Sequence, residues 1–101
     1  MPCFIKTERF TNETMKMTLE KRKLYINEHK EWINKLKESG IAIQSGFLVD
    51  ENNKPGAGGL VILRAKTYQE AIEIIKKDPM IKNNLVSWEL NEWVQIKTPV
   101  K

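Results

Sequence analysis

The sequence predicts an α+β domain with the element order βαββαβ, and three observations predict it. Strand-like runs rich in β-branched and aromatic residues stand at both ends and twice in the middle. A long helical stretch without Pro or Gly separates the first two of them, at about Met15 to Ser39. A second helix opens at Thr67, where Thr67-Tyr68-Gln69-Glu70 forms a capping box.

The elements follow in order. Cys3 to Phe10 reads as a first strand, with Asn12 and Thr14 offering turn or N-cap chemistry after it. In the long helix, Leu19, Tyr25, Ile26, Trp32, Ile33 and Leu36 fall mostly at three- and four-residue steps and define an apolar stripe. Gly40 suits the residue just beyond a helix end. Ile41 to Val49 reads as the second strand, and Asp50 to Gly56 as a turn built from residues that permit or preset unusual φ. Gly58 and Gly59 lead into the apolar run of Leu60 to Leu63, a third strand. Ala71, Ile74 and Ile75 point the second helix inward, and Lys76-Lys77 close it. Asp78-Pro79 is a good opening for one further short turn to about Asn83. Leu85 to Ile96 reads as a last strand, with a bulge expected after Leu90, where the alternation slips between Glu92 and Trp93.

This order is the split βαβ arrangement of ferredoxin-like folds: a four-stranded antiparallel sheet with two helices on one face. The other sheet face stays open and is half apolar, so a second copy is expected to cover it, as in a dimeric α/β barrel. Burying ~600 Å² of apolar area there would contribute about 15 kcal/mol before association costs are subtracted. The 101 residues read as a single domain, 1–101, with a modest core.

Charge and cysteine usage narrow the function. The net charge of +4 is spread along the chain, and the densest basic run is Lys21-Arg22-Lys23. Nucleic-acid binding is not expected, because the third strand carries none of the aromatics that RNA-recognition domains stack on bases. No apolar stretch approaches membrane-spanning length, and no signal peptide is evident. One cysteine, Cys3, forms no internal disulfide, and a cytoplasmic setting is expected. Arg9 lacks the phosphate-cradling loop of an acylphosphatase. One His and one Cys do not make a zinc site, and neither a phosphate loop nor a G-x-S-x-G elbow occurs, so the site is expected to use no metal and no cofactor.

His29, the only histidine, sits on the apolar stripe and needs a hydrogen-bond partner there. Asp78 is the candidate, since a carboxylate orients an imidazole as a general base. Two readings stand side by side: a working His–Asp pair, or a satisfied core histidine beside an Asp that only caps a helix.

Several residues then fall into a familiar pattern. These are Glu28-His29-Lys30, Glu38-Ser39-Gly40, Ser45-Gly46, Gly58-Gly59, Thr67 to Ala71, Lys77-Asp78-Pro79 and Glu92-Trp93. Together they resemble the YciI-like (YCII-related) family over nearly the whole chain. The resemblance implies a subunit that dimerises as an α/β barrel, with His29 and Asp78 as its active-site pair. It implies ligand-binding positions at Gly46, Phe47, Gly58 and Gly59, with Phe47 standing where the family often has Pro. It further implies a small-molecule enzyme of lyase or isomerase type acting on a small cyclic or aromatic substrate. The alternative is a non-catalytic binding or sensing domain of the same fold.

Overall fold

The computed structural model describes residues 1–96; the last five residues of the expected 1–101 domain lie outside the described residues. Four strands, β1 (Cys3–Phe10), β2 (Ile43–Val49), β3 (Pro55–Arg64) and β4 (Val86–Trp93), form one sheet in the order β2-β3-β1-β4. All neighbours pair antiparallel. Helices α2 (Leu19–Glu38) and α3 (Tyr68–Ile75) supply the βαββαβ pattern, and α1 (Asn12–Met15) and α4 (Pro79–Lys82) are single turns beside them. This is the expected α+β, ferredoxin-like topology.

Side chains alternate across each strand, so the registers assign every strand residue to a face. Phe4, Lys6, Glu8 and Phe10 share one face with Leu63, Val61 and Gly59, with Ile43, Ser45 and Phe47, and with Val86, Trp88 and Leu90. The core lies there, where Phe4, Ile43, Val61, Leu63 and Leu90 pack against Ile33 of α2 and Ala71 and Ile75 of α3. The outer face carries Ile5, Leu48, Leu60, Ile62 and Trp93 among the polar Thr7, Arg9, Gln44, Ser87 and Glu89. Leu48 and Trp93 are exposed there.

The long helix differs from the expected Met15–Ser39. It is broken into α1 and α2, because two threonines cap two separate starts. Thr11 accepts from the Thr14 amide, and Thr18 accepts from the Lys21 amide. Thr14 is buried and donates to the Leu85 carbonyl at 2.7 Å, which pins the first turn to a segment 71 residues away. Leu19, assigned to the apolar stripe by spacing, is exposed in the first turn of α2.

At the other end, Gly40 has φ 94°, the Gly40 amide bonds Lys37 and the Ile41 amide bonds Leu36. That paired closure delays β2 to Ile43. The hairpin turn is held by Asp50, whose Oδ1 accepts from the Asn52 and Lys54 amides, with Asn53 at φ 62°. β3 therefore starts at Pro55, earlier than the apolar run suggests.

β4 ends at Trp93 and contains no bulge. Its register with β1 runs unbroken to Cys3↔Trp93. Glu92 falls on the helix-side phase at the end of the sheet, where it is exposed and no apolar side chain is required. The one shift lies in the β2–β3 pairing, between Phe47 and Val49. At α3, Thr67 accepts from the Glu70 amide, but Glu70 reaches back to the Lys66 amide rather than to that of Thr67.

Candidate active site

The site grows from the N-cap of α4. Pro79 at the first helical position leaves Asp78 in extended conformation, and its Oδ1 accepts from the Met80 amide at 2.9 Å. The same oxygen lies 2.9 Å from His29 Nδ1, and Oδ2 accepts from Lys6 Nζ at 2.7 Å. Asp78 and Lys6 are fully buried. Lys6 also pairs with Glu8, two residues along β1 on the same face.

Burial alone pushes the Asp78 carboxyl up. The hydrogen bond from His29 and the charge of Lys6 outweigh it and hold the carboxyl below its ordinary value. The group is thus an ionised acceptor, and the proton shared with His29 resides on Nδ1. The opposite nitrogen, Nε2, lies 2.8 Å from Ser45 Oγ at the exposed edge of β2. In the neutral ring Nε2 accepts from the Ser45 hydroxyl; in the imidazolium it donates to the Ser45 oxygen. The Trp32 ring packs against the imidazole at 5.7 Å between centroids. The His29 side chain is 13% exposed; its Nδ1 contact with Asp78 is partly buried, and its Nε2 contact with Ser45 is exposed.

Of the residues singled out by sequence, His29 and Asp78 meet directly, so Asp78 is both a cap and an imidazole partner. The four other positions divide. Phe47 and Gly59 pair across β2 and β3 on the His29 side of the sheet, while Gly46 and Gly58 project onto the outer face. At Gly59 the space is taken by Glu8: a Cβ would lie 3.3 Å from Glu8 Cγ and Oε2 and 3.2 Å from the Gly46 carbonyl. At Gly46 a Cβ would meet nothing within 4 Å.

Sequence reasoning missed Lys6, Glu8 and Ser45. The signal for the first two was present: on the inward phase of β1, Phe4 and Phe10 bracket two opposite charges, which a strand buried on that face would not carry unpaired. Ser45 likewise lies in phase with Ile43 and Phe47. Among the described residues no cluster of three or more His, Cys, Asp or Glu is arranged to hold a metal.

The profile of the YCII-related domain matches residues 8–94, and the chain belongs to that family. No curated protein matches the sequence significantly. Among solved structures, the chain is similar to the 5-chloro-2-hydroxyhydroquinone dehydrochlorinase TftG of Burkholderia phenoliruptrix AC1100, in complex with 2,5-dihydroxybenzoquinone. The TM-score is 0.68 at 18% identity, over 91% of this chain and 93% of that one, a likeness of fold.

Proposed function

We propose that this protein is a small-molecule enzyme of lyase or isomerase type that moves a proton on a small cyclic or aromatic substrate through His29. One observation carries the reading. The imidazole is anchored at Nδ1 by a buried, ionised carboxylate and offers Nε2 at the protein surface. Asp78 fixes the tautomer and stabilises the imidazolium that forms when Nε2 takes a proton. Ser45 Oγ marks where the acidic group of a substrate would arrive. Two turns before His29 on α2, Arg22 keeps a buried Nε without a hydrogen-bond partner among the described residues. The family, and the aromatic chemistry named for TftG, point the same way.

The pair of outer sheet faces in a homodimer completes the proposal, because Leu48, Leu60, Ile62 and Trp93 would otherwise remain in water. Among the described residues no helix is long and apolar enough to cross a membrane. Cys3 is a free thiol, which fits the reducing cytoplasm proposed as its setting.

The test uses 2,5-dihydroxybenzoquinone in D₂O. The protein is expected to bind it, shift the ring signals of its single histidine, and speed exchange of the quinone ring hydrogens. His29→Ala should lower that exchange by at least about 100-fold. Binding without accelerated exchange identifies a binding domain instead. If His29→Ala and Asp78→Asn both fold and act like the parent, the reading fails.

A further inference from the structure

In proton transfer Ser45 only marks where a substrate arrives, yet its hydroxyl sits directly on His29 Nε2. Ser45 Oγ, His29 Nε2, His29 Nδ1 and Asp78 Oδ1 form one line of hydrogen bonds, at 2.8 Å and 2.9 Å. A nucleophile within hydrogen-bond reach of a base, with that base oriented by a third group, is the structural signature of an activated serine. We infer that Ser45 is a nucleophile for acyl transfer, and that the protein cleaves small aromatic carboxylic esters in addition to any proton transfer at His29.

Three features of the surroundings support this. Ser45 is exposed, so an acyl group can reach it. It lies on β2, an edge strand of the sheet. The Arg64 amide bonds the Ala42 carbonyl directly across the β2–β3 pair, and the alternation of an antiparallel ladder then turns the Ser45 amide away from β3, toward the open edge. The amide of the nucleophile itself is one of the donors that stabilise the oxyanion in serine hydrolysis. Finally, Phe47 stands two residues on, on the same face and 69% exposed, as an apolar wall for an aryl leaving group.

The steps balance without an oxidant or a metal. Ser45 Oγ forms a bond to the ester carbonyl carbon and gives its proton to His29 Nε2. The C–O bond breaks, and the leaving phenoxide takes that proton. Water then attacks the acyl-serine by the same route, giving the carboxylic acid and restoring the hydroxyl. The inference shares His29 and Asp78 with the proposed function but depends on Ser45 as well.

The experiment treats the full chain with p-nitrophenyl acetate and, separately, with an alkyl fluorophosphonate, followed by intact mass and peptide mapping. One adduct per chain is expected, mapped to Ser45, absent in Ser45→Ala and formed at least about 100-fold more slowly in His29→Gln. Adducts confined to Cys3 or lysines, or a Ser45 adduct whose rate is unchanged in His29→Gln, overturn the inference. Mapping the unmutated chain decides the matter even where a variant folds poorly. A protein that is not labelled but still exchanges quinone hydrogens loses the acyl-transfer activity alone, and the proton-transfer reading stands.

Discussion

At the scale of the residue, the decisive feature is a carboxylate that does two jobs. Asp78 caps α4 through Oδ1 and receives His29 on the same oxygen, while Lys6 occupies the other. Removing one member of a buried pair leaves an uncompensated charge, so Asp78→Asn is expected to cost about 3 kcal/mol near neutral pH. Because the folded-state value of Asp78 lies below its ordinary 3.8, its contribution is complete above that value and is lost as pH falls through the folded value. Urea unfolding of the parent should therefore steepen in its acid loss of stability below about pH 4, and the Asn variant should lose less over the same range. Gly59 is the second sensitive residue. An alanine there presses on the Gly46 carbonyl, which is backbone, and on Glu8, which is tied to Lys6. Gly59→Ala is expected to destabilise by roughly 1–3 kcal/mol, read as a lowered urea midpoint with an unchanged slope.

At the scale of the element, threonine hydroxyls set the boundaries. Thr11, Thr18 and Thr67 cap three helices, and Thr14 ties α1 to Leu85. Local cap chemistry was legible in Thr67-Tyr68-Gln69-Glu70, where a short motif and the start of an apolar face coincide. It was missed at Thr18, because the uninterrupted run from Met15 carries no Pro or Gly to mark a break. Thr67→Ala is expected to lower stability by about 1 kcal/mol, a drop of roughly 4–8 °C in Tm for a domain of this size. The bulge expected in β4 illustrates a different limit. The slip in alternation between Leu90 and Trp93 leaves Glu92 exposed on the helix-side phase, and strand pairing continues past that point.

At the scale of the whole molecule, one sheet face is covered by helices and the other is mixed. Such a face predicts association. Light scattering should give twice the 11.8 kDa of one chain, and Leu60→Lys or Ile62→Lys should return the mass to that of one chain. A single-chain mass for the unmutated protein would remove the pairing of outer faces. The same topology assembles the site: strand order β2-β3-β1-β4 sets Lys6 on a central strand, beneath the loop that enters α4, with Ser45 at the sheet's edge.

The sequence by itself determined the order of elements, the αL glycine after the long helix, the Asp-Pro turn and the nomination of His29 with Asp78. All of these rest on periodicity, short-range hydrogen bonding and the chemistry of single residues. The tertiary structure alone decided that Lys6 and Glu8 are buried charges, that Ser45 completes the line through His29, and that the four glycine-region positions lie on opposite faces. Lys6 and Asp78 are 72 residues apart, and Ser45 and His29 are on different elements. Whether a charged side chain is paired or wet depends on what the fold brings across from it, and local spacing holds no record of that partner.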